Sequence, residues 1–225
     1  MSRSVLFDTE TTGFDPLTGD RVIEIAAIEL LNDLPTDNQF HVLMDPERDI
    51  PADSTKVHGI TSAHVEGKPK FAEIADAMLE FFGNAPLVAH NAPFDFNFID
   101  AELARIKRPP LGRSRMVDTL VLAKTRFPGM PNSLDALCRR FDIDLSARTT
   151  HNALLDCKLL AEVYVELTGG RQRGLVLETA QGLAFAQYER AEARTPNPII
   201  VDEATLAVHA AFVARLKEPV WNLPE

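Results

Sequence analysis

Three apolar runs crowd the start of the chain: Ser4–Phe7, Arg21–Leu31 and Gln39–Met44. The first is short, the second is long and rich in Ile and Val, and all three read as strands. The connections between them are short, so they read as antiparallel hairpins. From Phe71 the pattern changes to helical spacing, with Phe71, Ile74, Ala75, Met78, Leu79 and Phe82 on one side and Gly83 as a stop. A brief buried strand follows at Leu87–Ala89, then a helix from Pro93 to Ile106, then a strand at Met116–Val117. Asp118 and Ser133 read as N-caps of helices reaching Phe127 and Phe141. The last strong helix runs from Ala153 to Leu167, with Leu155, Leu159, Val163 and Leu167 four apart, and Gly169-Gly170 ends it. The stretch from Ala52 to Val65 reads as short helical turns around Gly59. Hairpin strands first and alternating strands and helices afterwards predict an α/β chain, a mixed sheet with helices on its faces.

The length of 225 residues suits one good-sized domain plus an appendage, and 45% apolar content suffices for a core. No apolar run is long enough for a membrane span, and Met1–Ser4 passes straight into the first strand, leaving no room for a signal peptide. The only cysteines, Cys138 and Cys157, read as small buried residues of a reducing cytoplasm rather than as a disulfide. After Gly170 the periodicity weakens. Residues 171–201 read as a flexible tether, and residues 202–225 recover a helical rhythm between Asp202 and Glu218, with Leu206, Phe212, Val213, Leu216 and Trp221 too few to bury one another. The net charge of -10 is unusual for a protein that grips long nucleic acid unaided.

The first run leads into Asp8-Thr9-Glu10-Thr11-Thr12-Gly13. Residues i and i+2 of an extended chain point to the same side, so Asp8 and Glu10 would face one point at the edge of the core. Buried like charges repel, and a bound cation removes the conflict; paired carboxylate oxygens suit Mg2+ or Mn2+. Alone, the segment reads equally as a turn after an edge strand. His90-Asn91-Ala92-Pro93-Phe94-Asp95 ends the fourth strand. It places Asp95 in the first turn of a helix, where the dipole by itself favours a carboxylate. His151 and Asp156 are five apart, roughly 140° beyond a full helical turn. They can meet only if His151 lies in the loop before the helix that carries Asp156. The helical pattern leaves Asp156 free to face either the core or solvent. His41, His64, His90 and His209 read as structural or exposed, Asp118 and Asp135 as helix-start residues, and the basic residues from Arg105 to Arg115 as a solvated rim.

Taken together, Asp-Thr-Glu-Thr-Thr-Gly, His-Asn-Ala-x-Phe-Asp and His-x4-Asp resemble the DEDDh class of 3'–5' exonucleases over residues 1 to about 168. Val57-His58-Gly59-Ile60, Asn132 to Cys138, Ala161-Glu162-Val163-Tyr164 and Thr168-Gly169-Gly170 are similar to the proofreading (epsilon) subunits of bacterial DNA polymerase III within it. The resemblance implies an RNase H-like mixed five-stranded sheet flanked by helices, with a C-terminal tether and a short helical tail. It implies that Asp8, Glu10, Asp95 and Asp156 hold two divalent metal ions, Mg2+ or Mn2+, for phosphodiester hydrolysis. His151 would take a proton from the attacking water. Thr11, Thr12, Phe94 and His58 would line the pocket for the terminal nucleotide.

The same resemblance divides the chain into an exonuclease domain (1–170), a tether (171–201) and a polymerase-docking tail (202–225). Gln172, Leu175 and Leu177 fit the loose Gln-x-x-Leu-x-Leu peptide that docks on a sliding clamp, in the place where epsilon subunits carry theirs. The implied partners are a DNA 3' end, the polymerase alpha subunit, the clamp and a small accessory subunit of the theta kind, with no membrane. Two other readings stand beside this one: an RNA-trimming exonuclease with the same catalytic set, and a mainly structural subunit bridging polymerase and clamp.

Overall fold

The computed structural model of the chain describes residues 2–148, 150–169 and 200–217. The chain divides into two units, residues 1–175 and 176–225. In the first, β1 (Arg3–Thr11), β2 (Val22–Leu31) and β3 (Leu34–Leu43) pair antiparallel. Then β4 (Leu87–Ala89) joins β1 and β5 (Met116–Asp118) joins β4, both in parallel. The result is the expected mixed five-stranded sheet, in the order β3-β2-β1-β4-β5.

Two of the strands are longer than their apolar runs. β1 continues through Asp8 and Glu10 to Thr11, so both carboxylates belong to the strand rather than to a turn after it. β3 starts at Leu34, five positions before the expected Gln39. Pro35, Asp37 and Asn38 depress strand propensity there, yet β3 is an edge strand, where a missing N–H and polar side chains are tolerated. Asn32 and Asp33 form the hairpin turn with positive φ (53° and 64°), the conformation that matches the twist of the two strands.

Strand alternation sorts the core into two layers. Val5, Phe7, Ala27, Leu87 and Ala89 pack against α3 (Phe71–Phe82) and α4 (Ala92–Arg105). Leu6, Ala26, Ile28 and Val88 pack against α5 (Thr119–Arg126), α6 (Leu134–Arg140) and α7 (Ala153–Leu167). The caps read from sequence are in place: Asp118 accepts from Leu120 N, Ser133 from Ala136 N, and Gly83 ends α3 at φ 49°. Ile60, between the short helices α1 (Ala52–His58) and α2 (Ser62–Val65), and Val65 of α2 form a small apolar cluster with Ile23 of β2. Cys138 and Cys157 are buried free thiols.

In the second unit, α8 (Glu203–Val213) is capped by Asp202, whose Oδ1 accepts from Thr205 N at 2.8 Å. The helix ends five residues short of the expected Glu218, with Ala214 as its C-cap. Leu206, Phe212 and Leu216 are exposed. The tether, the clamp-type peptide at Gln172, Leu175 and Leu177, and Trp221 lie outside the described residues. Among the described residues no helix is long and apolar enough to cross a membrane.

Candidate active site

The site is built at the C-terminal ends of β1 and β4, from both layers. Asp8 and Glu10 share the register parity of Leu6 and so belong to the α7 side of the sheet, whereas Thr9 belongs to the α4 side. Thr9 reaches Asp95 in the first turn of α4: its amide and its hydroxyl both donate to Asp95 Oδ1, at 3.1 and 2.7 Å. Asp95 itself lines the cleft. The entry to α4 is strained. Asn91 adopts φ 63°, ψ 46°, and its amide donates to Asp118 Oδ1 at 3.0 Å. An Asn tolerates this region better than most residues. A bidentate pair between half-buried Arg21 and buried Glu102 (2.6 and 2.9 Å) ties α4 to the start of β2.

On the α7 side, Asn152 caps the helix by accepting from Leu155 N, and Glu24 of β2 accepts from Asn152 Nδ2 (3.1 Å), Ala153 N (3.2 Å) and His41 Nε2 (2.7 Å). Asp156 therefore enters the cleft from the first turn of a helix whose start is clamped to the sheet. His151 lies in the loop before α7, as the five-residue spacing requires. Its Nδ1 is 3.3 Å from Asp156 Oδ2, and its amide donates to Val57 O of α1. Arg148 completes this corner. Its Nε and Nη2 donate to the two Asp156 oxygens at 2.6 and 2.8 Å. Its Nη1 donates to Asp135 Oδ1 at 2.6 Å, and its Nη2 also lies 2.9 Å from His151 Nδ1.

Electrostatics mark the same residues. Burial, then Asp95, Glu10, Asp156 and Glu24, hold Asp8 well above the ordinary carboxylate range. Glu10 is pushed up to about 8 by burial and then by Asp156, Glu24 and Asp95. Asp95 is raised to about 7 by burial, against the Thr9 hydrogen bonds. Asp156 goes the other way: burial opposes ionisation, but the hydrogen bonds of Arg148 and His151 prevail and lower its pKa. Three carboxyls that resist ionisation beside one that does not form a cation-seeking set. Glu10, His151 and Asp156 each offer a ligand atom within 4.8 Å of the others. The donors are mainly carboxylate oxygens, which fits Mg2+ or Mn2+.

Two clefts open on this floor and share Asp8, His90, His151 and Asp156. The first, about 240 Å³, also takes in Glu10 and Asp95, together with Thr11, Phe94 and His58 from the expected pocket. Ser54, Val57 and the exposed Phe14 line it as well. Thr12 is not part of that lining. It is fully buried, its hydroxyl accepting from Arg21 N and bonded to Asp20, so it shapes the loop behind the cleft. Asp20 packs so closely on Gly13 that any side chain there would collide with it. His58 accepts from Ile60 N at Nδ1, and burial lowers its pKa. Its Nε2 is buried without a hydrogen-bond partner among the described residues. The second cleft, about 580 Å³, is walled by Ser133, Leu134, Asp135 and Arg148.

Sequence reasoning passed over Arg148 and Glu24. Glu24 had a signal: a charged residue inside a Val-Ile run destined for burial needs a partner. Arg148 had none, because nothing in its spacing says which way the guanidinium turns. Arg113 and Arg115, expected on a solvated rim, are partly structural: Arg113 pairs with Asp100 and Arg115 donates to Ala85 O.

A family model described as Exonuclease (RNase_T) matches residues 5–164. The DNA polymerase III subunit epsilon of Rickettsia felis is 51% identical over 173 residues, 76% of each chain. That of Escherichia coli is 44% identical over 226 residues, covering 96% of this chain and 93% of its own. Among solved structures, exonuclease X in complex with 5' overhanging duplex DNA superposes with a TM-score of 0.58 at 27% identity, over 75% of this chain and 91% of that one. An E. coli ExoI–ssDNA complex in its zinc-bound form reaches 0.63 at 19% identity, over 74% of this chain and 41% of that one, a likeness of fold alone. With the carboxylate set, the sheet order and these matches in agreement, the chain belongs to the DEDDh 3'–5' exonucleases, closely related to the epsilon subunits of DNA polymerase III.

Proposed function

We propose that this exonuclease removes mispaired nucleotides from DNA 3' ends as the proofreading subunit of a replicative polymerase. The observation that carries the reading is the carboxylate nest: Asp8, Glu10, Asp95 and Asp156, the last three buried, line one cleft together with His151. These carboxylates would hold two divalent ions, Mg2+ or Mn2+. When bound, such ions stabilise the attacking and leaving oxygens of a phosphoryl displacement.

The chain's own residues do the rest. Asp95, fixed by Thr9, and Asp156, fixed by the clamped start of α7, present oxygens in set directions. His151 is half exposed and next to Asp156, so it can take the proton of the attacking water while the carboxylate holds its ring. Thr11, Phe94 and His58 receive the terminal nucleotide, with Phe94 against the base or sugar and the unpartnered His58 Nε2 as a donor. Thr12 supports this pocket from behind.

DNA as the substrate is supported by the relatives' kinship and by the DNA-bound exonuclease X. A frayed mismatched end costs less to unpair than a matched one, so weak intrinsic grip, in keeping with a net charge of -10, favours errors over correct ends. Residence then comes from partners. Residues 1–170 form the nuclease, 171–201 tether it and present Gln172, Leu175 and Leu177 to the sliding clamp, and 202–225 dock on the polymerase alpha subunit. A theta-like small subunit completes the set, and the assembly works in the cytoplasm. The test is nuclease activity of the full chain on matched and mismatched DNA 3' ends and on RNA, with and without Mg2+. Faster Mg2+-dependent loss of the mismatched DNA end is the expected result, and preference for RNA would replace this reading with an RNA-trimming one.

A further inference from the structure

Among the described residues, Arg148 alone engages a carboxylate of the nest, the histidine at its rim and an acid outside it. It is almost enclosed, with its side chain about 10% exposed. Its fork covers both oxygens of Asp156 and touches His151 Nδ1, while its remaining nitrogen holds Asp135 on α6. The guanidinium thus neutralises, from within the chain, the same carboxylate that the proposed function assigns to a divalent cation.

We infer that Arg148 is a displaceable counter-ion: it latches Asp156 and His151 until a divalent cation loads, then swings onto Asp135 and the second cleft. Two charges cannot share Asp156 without mutual repulsion, which at a few ångströms is large even at an effective dielectric of about 20. A fully buried fork with nowhere to go would block loading. Asp135 supplies the alternative anchor: it already holds Nη1, and both residues line the roomier second cleft. As the two contacts to Asp156 break, the single contact with Asp135 becomes a two-nitrogen one, so Asp135 holds the guanidinium more firmly in the loaded state than in the latched one. Cation uptake is then an exchange of partners, and the histidine is released in the same movement because the same Nη2 holds it. Arg148 is on this view a positioning residue for the loading of the site.

This inference rests on the metal-dependent reading above, and its test separates the two. Full-length protein stripped of metal is titrated with Mn2+ by calorimetry, and its unfolding is followed with and without the ion. Arg148→Met should bind Mn2+ about tenfold or more tightly than the parent and melt at a lower temperature when metal-free. Arg148→Lys, which keeps the charge, should bind near the parental affinity. Asp135→Ala should act in the opposite direction, weakening Mn2+ binding several-fold because the displaced guanidinium has lost its anchor. In the Arg148→Met background the Asp135 change should have little further effect. A purely structural Arg148 would weaken metal binding when removed, and that result, or equal affinity in Arg148→Met and the parent, overturns the inference. Should Arg148→Met not fold, a parental affinity for Asp135→Ala overturns it as well. If the parent itself takes up no divalent ion, the metal-dependent reading falls and the inference with it.

Discussion

Glu10 and Glu24 stand directly opposite each other across the β1–β2 ladder, and the fold gives the two carboxylates different fates. Glu24 is fully buried and accepts from His41, Asn152 and the Ala153 amide. Glu10 lines the cleft, and its pKa is pushed up to about 8, with burial the largest cause. Like charges directly opposed on a ladder are destabilising. A proton or a cation on Glu10 relieves the conflict, which ties the stability of the sheet to the loading of the site.

The pH dependence follows from that linkage. Glu10 rises from 4.5 to about 8 and Asp95 from 3.8 to about 7 on folding. Across this window the folded chain holds protons that the unfolded chain has released, so stability falls as pH rises from about 4 to about 8. Asp156 has the opposite sign: its lowered pKa contributes stability above the ordinary carboxylate range that is lost as pH falls through the folded value. In chelator, the melting temperature should therefore decline between about pH 5.5 and pH 8, and saturating Mg2+ should flatten the decline. A melting temperature that climbs over this interval in chelator would contradict the assignment.

Burial, and then the charges of Asp95, Glu10, Asp156 and Glu24, oppose ionisation of Asp8. Asp8→Ala should abolish nuclease activity and leave a folded protein whose metal-free melting temperature is no lower than the parent's, because a repelling group has gone. Near-normal Mg2+-dependent activity in this variant would rule out the two-ion reading.

His151 sits at the cleft rim, half exposed, with a neighbouring carboxylate as its support. His151→Ala should lower turnover by roughly 10²–10⁴-fold, the usual worth of general acid–base catalysis, with Mn2+ affinity little changed. Its Nδ1 or Nε2 also lies within reach of a site shared with Glu10 and Asp156. A large loss of Mn2+ affinity, with turnover recovered at high metal, would make it a ligand instead.

Glu24 holds the start of α7. Replacing it with Ala leaves the Ala153 amide and the Asn152 side chain without their buried acceptor, at a cost of about 1–3 kcal/mol. Glu24→Gln keeps an acceptor and should cost less. Urea unfolding of the metal-free protein at pH 6, where Glu10 is still protonated, measures both. Equal stability of Glu24→Ala and the parent would show that α7 is placed by packing alone.

The tail predictions concern binding rather than chemistry. Changing Gln172, Leu175 and Leu177 together to Ala should weaken association with the sliding clamp, and deleting residues 202–225 should abolish association with the polymerase subunit. Both variants should keep full activity on free single-stranded DNA. Calorimetric titration against each partner is the measurement, and unchanged affinities in both would leave a nuclease without the proposed assembly role.

Legibility from sequence followed the strength of local signals. α3 and α7 were readable residue for residue because each couples a strong apolar stripe to a stop, Gly83 or Gly169. Asp95 and the His151 loop were readable from helix-start chemistry and from an angular argument. The early start of β3 was not, because Pro35, Asp37 and Asn38 argue locally against a strand that the hairpin turn and pairing with β2 impose. Arg148 and the burial of Thr12 were not either. Both depend on side-chain direction, which the tertiary fold decides after spacing has fixed everything it can.

The reluctant sequence of β3 has a further consequence. Its outer side is a ten-residue row of backbone groups with no neighbouring strand among the described residues, while the opposite edge, β5, is only three residues long. Such a row is a template on which another chain could add itself and begin an aggregate. Pro35 offers no amide to a newcomer, and Asp37 places a charge on the same exposed margin. The composition that conceals this strand from a reader of the sequence also makes its edge a poor template for other copies of the chain.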